Sequence, residues 1–143
     1  MLKQIKFIAA ILMLISACGS SEISNSVVLT DTAPLTPFME NQRVELLDIL
    51  SANVAGSNVA SVPVYVITKE NFDSHFDSTK VGVHREGYIA LKQFDGERCV
   101  VLAHELLHAA LEQTTGDGDS EHLDPRFHDD TFSKWCMQVN GLH

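Results

Sequence analysis

The longest apolar run in the second half of the chain is Val100 to Leu111, broken only by His104, Glu105 and His108. It is too continuous for an exposed element and long enough for a helix, so the pattern predicts a mostly buried helix over residues 97–113, with Asp95 as its cap. An earlier amphipathic segment begins at Thr36-Pro37, a cap followed by a proline suited to the first helical turn. There Phe38, Val44, Leu47, Ile49, Leu50 and Val54 are expected to face the core, with Glu40, Gln42, Arg43, Glu45 and Asp48 facing solvent, up to a stop at Gly56. The β-branched and aromatic stretch 62–68 predicts a strand, Pro63 standing near its start. Residues 69–80 are polar and read as a loop carrying an exposed His75. Stretches 81–84 and 88–92 predict two short strands around Arg85-Glu86-Gly87. A last helix is expected over residues 128–139, with Asp129 and Asp130 in its first turn and Phe132, Trp135, Cys136 and Val139 inward. Helices at both ends of a small antiparallel or mixed sheet make the fold class α+β.

The first residues do not belong to that domain. Lys3 and Lys6 precede a short apolar run from Phe7 to Ile15, which is too short to span a bilayer and reads as an export signal. Ile15-Ser16-Ala17-Cys18 resembles the lipobox of bacterial lipoprotein signals, in which the chain is cleaved before the cysteine and the cysteine is lipidated. The resemblance implies a signal peptide over residues 1–17, lipidation of Cys18 and a place in the bacterial cell envelope. Gly19 inclines the anchor toward the outer membrane, facing the periplasm. Residues 18–36, rich in Ser and Thr, are expected to form a flexible tether, leaving 37–143 as the folded domain.

Charge narrows the partners. The chain carries 19 acidic against 10 basic residues, a net charge of −9 that becomes more negative once Lys3 and Lys6 leave with the signal. Nucleic acid is therefore a poor partner, since binding it needs basic residues to neutralise phosphates. With Cys18 lipidated, Cys99 and Cys136 remain, and an oxidising compartment permits a bridge between them; two buried free thiols is the other reading.

The chemistry sits in His104-Glu105-Leu106-Leu107-His108, a His-Glu-x-x-His pattern. Residues four apart share a helix face, so His104 and His108 can grip one metal ion, while Glu105 points aside and can act on a water there. Two neutral imidazoles, an open position and a neighbouring carboxylate are what a zinc hydrolase requires. A catalytic zinc usually takes a third protein ligand. Glu112 lies a turn too far along the helix. The glycine-made turn of the metzincin type is absent, since Leu111 and Thr114 occupy its positions. Glu121, His122, Asp124 and His128 remain. The acidic run 117–121 lacks a bidentate Glu at a calcium-loop offset and reads as a solvated loop.

His104-Glu105-Leu106-Leu107-His108-Ala109, a polar loop and then His128-Asp129-Asp130-Thr131-Phe132 resemble the SprT-like zinc metallopeptidases over roughly the last sixty residues. The resemblance implies a minimal zincin-like domain with His104, His108 and His128 as zinc ligands, His122 as the alternative third ligand, and Glu105 as general base. The loop between His108 and the third His is longer than usual, and no zinc ribbon follows. What it implies functionally, together with the lipobox, is a membrane-anchored zinc metallopeptidase acting on peptides or proteins. Strand 88–92, just before the metal helix, could hold a substrate extended if it lies at a sheet edge; a plain structural hairpin is the other reading. A catalytically inactive, zinc-bearing lipoprotein that binds a partner in the envelope is the alternative.

Overall fold

The computed structural model describes residue 29 and residues 31–142, except 86 and 129. The signal segment, Cys18, most of the expected tether and Asp129 thus lie outside the described residues. No helix among the described residues is long and apolar enough to cross a membrane.

The domain is α+β, with four helices and a four-stranded mixed sheet. In chain order the elements are β1 (Thr32–Ala33), α1 (Pro37–Asn53), β2 (Val64–Ile67), α2 (Lys69–His75), β3 (Gly82–Arg85), β4 (Tyr88–Lys92), α3 (Cys99–Thr115) and α4 (Thr131–Val139), with single 3-10 turns at Val59–Ser61 and Pro125–Phe127. The strand order is β1-β2-β4-β3. β2 and β4 run parallel, and β3 returns antiparallel on the outside of β4. Residues 32–33, expected in the tether, instead pair with Val66 and Ile67 as a short edge strand.

One face of the sheet carries the main core. Val66, Ile89 and Leu91 pack against Leu46, Leu50, Leu102, Leu106, Leu107, Trp135 and their neighbours from α1, α3 and α4. The opposite face is covered by α2, whose Phe72 and the following Phe76 meet Ile67, Val83 and Ala90. The stretch expected as a loop is helical because Phe72, fully buried, anchors a single amphipathic turn-pair. Lys92, 2% exposed, ties that layer to the sheet by bonding Asp73 Oδ1 at 2.6 Å and the Ser78 carbonyl at 2.8 Å.

Thr36 caps α1 as expected, its hydroxyl accepting from the Met39 amide at 3.2 Å. The buried face is rotated, however. Met39, Gln42, Leu46, Ile49 and Leu50 are inside, while Phe38 and Val44 are exposed. Gln42 tolerates burial because its amide nitrogen bonds Asn140 Oδ1 at 3.0 Å. α3 starts at Cys99 with Arg98, not Asp95, at its cap position, and runs to Thr115, where Gly116 takes the left-handed conformation (φ +77°) that ends it.

Cys99 and Cys136 are joined as a disulfide, pinning the start of α3 to α4. Replacing both by serine is expected to lower stability by about 2–4 kcal/mol. Chemical denaturation of the variant against the parent measures it, and an unchanged midpoint would show that packing alone holds the two helices.

Candidate metal centre

The site lies where α3 passes beneath the outer edge of the sheet. β3 alternates, so Gly82 and His84 face α3, whereas Val83 belongs to the opposite core. A Cβ at Gly82 would stand 2.7 Å from Val101 Cγ1 and 2.9 Å from Glu105 Oε1. Glycine is therefore what lets the strand lie directly on the helix at Glu105. Together β3, α3 and the loop after α3 enclose a cleft of about 550 Å³ lined by Gly82, His84, His104, Glu105, His108 and His122, among others.

His104 and His108, one turn apart on α3, bring their Nε2 atoms to 3.0 Å. The third imidazole is His122, whose Nε2 lies 3.1 Å from that of His108. All three offer a nitrogen within 4.8 Å of the others. His128, the expected third ligand, is exposed at the foot of α4 and does not join them. The reason lies in the loop. Asp119 accepts the amides of Leu123 and Asp124, His122 donates its own amide to the Asp119 carbonyl, and His122 sits at φ +56°. This tight turn folds the imidazole back over α3; left-handed backbone at a non-glycine residue is costly and is found where a site needs it. Asp124 then caps the 3-10 turn at Arg126, and the Arg126 guanidinium bonds both Asp124 and the Asn53 carbonyl at the end of α1. That turn carries Phe127, whose ring lies 4.4–5.0 Å from all three imidazole centroids and closes the site on its inner side. Phe132, the aromatic expected near the site, lies 5.2 Å from His104.

The donor set suits a metal such as zinc. Tetrahedral zinc with bonds of about 2.0–2.1 Å to imidazole needs its nitrogens roughly 3.3 Å apart, and the spacings of His108 to His104 and to His122 are close to that. His108 Nδ1 lies 2.5 Å from the Gly118 carbonyl, a bond that places the proton on Nδ1 and leaves Nε2 bare. Burial, followed by the proximity of His108 and His122, holds His104 down to about 4, and burial lowers His108 as well. Both therefore present free lone pairs at neutral pH.

Glu105 is 6% exposed, and burial raises its carboxyl to about 7, opposed by Lys80, the His84 backbone N–H and Arg85. A carboxyl poised near neutrality can both take and return a proton. These two neighbours predict an unusual pH response of the metal-free protein. His104, lowered on folding, makes stability rise with pH between about 4 and 6.5; Glu105, raised on folding, makes it fall between about 4.5 and 7. The slopes oppose each other where they overlap, and Glu105→Gln removes the falling one. Denaturation of that variant at pH 4.5 to 6.5 should show stability rising more steeply with pH than in the parent. Parallel profiles would mean that Glu105 is not raised.

Two features were not found by reading the sequence. His84 lies in the same cleft, its Nε2 2.9 Å from Glu112 Oε2 and its ring parallel to that of His108 at 6.4 Å. The signal was its two-residue spacing from Gly82, which puts both on one strand face. The second concerns the strand that meets a substrate. Strand 88–92 is β4, paired on both sides; among the described residues the sheet ends at β1 and β3, and β3 is the edge that borders the cleft.

No family model matches the chain, and no curated protein or solved structure matches it either.

Proposed function

We propose that the chain is a zinc-dependent peptidase of zincin type, held at the bacterial envelope through a lipid on Cys18, and that it cleaves peptides laid along the free edge of β3. The observation that carries this reading is the convergence of three imidazoles and a buried glutamate in one cleft beside β3, an edge strand among the described residues. A metal site built only for stability has no use for a carboxyl poised near neutrality beside it.

His104, His108 and His122 would hold the ion, His108 locked in the competent tautomer by Gly118. Zinc bound there supplies Lewis acidity and makes water acidic enough to lose a proton near neutral pH. Glu105 takes that proton as the water attacks the peptide carbonyl and passes it to the departing amine. The β3 edge aligns the substrate by main-chain hydrogen bonds, the mode of an added strand. Phe127 and Phe132 keep the inner side of the imidazoles dry.

The test is cleavage of a mixed peptide library by zinc-loaded protein, with and without a chelator. Cleavage abolished by the chelator and restored by zinc supports the reading. Bound zinc without turnover on any peptide would sink it and favour a binding module of the envelope.

A further inference from the structure

Among the described residues from Glu112 to Phe127 none is buried, yet this stretch carries the third imidazole. Only Phe127 at its end packs against the main core, and it is half-buried. The place of His122 is therefore set by polar bonds rather than by apolar packing. These bonds form one chain. The His122 amide donates to the Asp119 carbonyl, and the Asp119 carboxylate accepts the Asp124 amide. The Asp124 carboxylate is gripped by Arg126, Nε to Oδ1 at 2.8 Å and Nη2 to Oδ2 at 2.6 Å. The remaining guanidinium nitrogen, Nη1, donates to the Asn53 carbonyl.

Asn53 is the last residue of α1. Its carbonyl is one that a helix leaves without an internal partner, and a cation there suits the negative end of the helix dipole. α1 is itself fixed, because Leu46, Ile49 and Leu50 lie in the core. Exposed ion pairs usually contribute little to stability. A planar fork that closes on a carboxylate and a helix end at once does something else: it fixes direction as well as distance.

We infer that Arg126 is a positioning residue of the metal centre. It joins the turn that bears His122 to the rigid end of α1, so the metal affinity of the cleft depends on a helix that supplies no ligand. The inference rests on the three-imidazole metal site and does not require peptidase activity.

The experiment measures zinc affinity by competitive chelator titration, and stability of the metal-free protein by denaturation. The proteins are the parent, Arg126→Met, Arg126→Lys and Thr36→Ala. Arg126→Met keeps a long stem and removes the fork, and its zinc affinity is expected to fall about 10–100-fold, as for other residues that orient a ligand. Arg126→Lys keeps the charge but cannot hold a carboxylate and a carbonyl in one plane, so it should fall toward the lower end of that range. Thr36→Ala removes the cap at the opposite end of α1. It should lower stability and leave zinc affinity unchanged. Unchanged affinity in both Arg126 variants overturns the inference. So does a loss in Thr36→Ala as large as theirs, since affinity would then merely follow stability.

A second measurement needs no metal. In the metal-free protein the His122 amide, bonded to the Asp119 carbonyl at 2.9 Å, should exchange with solvent several-fold faster in Arg126→Met than in the parent, and at the parental rate in Thr36→Ala. An unchanged rate in Arg126→Met overturns the positioning role whether or not the parent binds zinc. A parent that binds no zinc overturns the metal centre itself, and this rate tells that result apart from a failure of Arg126.

Discussion

His122→Ala is expected to strip the metal, and His128→Ala to leave it. Mutating a residue that merely orients a metal ligand typically costs about 10–100-fold in affinity, so removing a ligand should cost more than about 100-fold. The parent should carry close to one zinc per chain, and His122→Ala almost none after dialysis against a weak chelator. His128 is exposed and stands outside the cluster of three imidazoles, so it is not expected to hold the ion. Metal analysis of the three proteins, with a competitive chelator titration for affinities, decides it. Zinc lost with His128→Ala and kept with His122→Ala would overturn the loop-borne ligand and restore the assignment that the SprT-like resemblance implies.

The second large effect is on turnover. Glu105→Gln should retain zinc at parental affinity and lose at least about 10³-fold in kcat, near the upper part of the range for removing a positioned general base. The substitution is nearly isosteric, so it spares the close contact with Gly82 and Val101, and the amide still suits the buried position. The loss should appear in kcat with KM little changed, because Glu105 acts on the proton and not on substrate binding. A variant that turns over at the parental rate would remove Glu105 from the mechanism. One that loses zinc as well would show that the carboxylate shapes the metal site.

What the sequence disclosed, and what it withheld, divides along a physical line. α3 and the β3–β4 hairpin were legible because each is set by local pattern: a long apolar run in one case, strand-forming stretches around a turn at Gly87 in the other. The pairing of Cys99 with Cys136 was an open alternative, settled only by where α4 docks. α2 was hidden because, within it, only Phe72 is buried; its other positions are polar enough to read as loop. The inner face of α1 was misjudged because hydrophobicity was taken as the guide. Gln42 is buried through its bond to Asn140, ninety-eight residues away, which no local pattern announces. The expectation that His128 would stand beside His104 and His108, with His122 as the alternative, went the other way for a related reason. A histidine at the head of a helix has a position that sequence can estimate, whereas His122 owes its place to the Asp119 turn, an unusual backbone angle and the grip of Arg126 on α1.

If the proposed peptidase activity is correct, the link between Cys99 and Cys136 has a consequence for it. The residues it encloses, from the start of α3 into α4, include His104, Glu105, His108 and His122, so the three imidazoles and the proposed base lie on one covalent ring. The exposed stretch around Thr114 to Asp117 lies on the same ring, between the second and third imidazoles. Self-digestion there would open the ring without dividing the molecule: His122 would remain joined to His104 and His108 through the sulfurs. A nicked chain would run intact until it is reduced, and only then separate into two fragments, neither holding all three imidazoles.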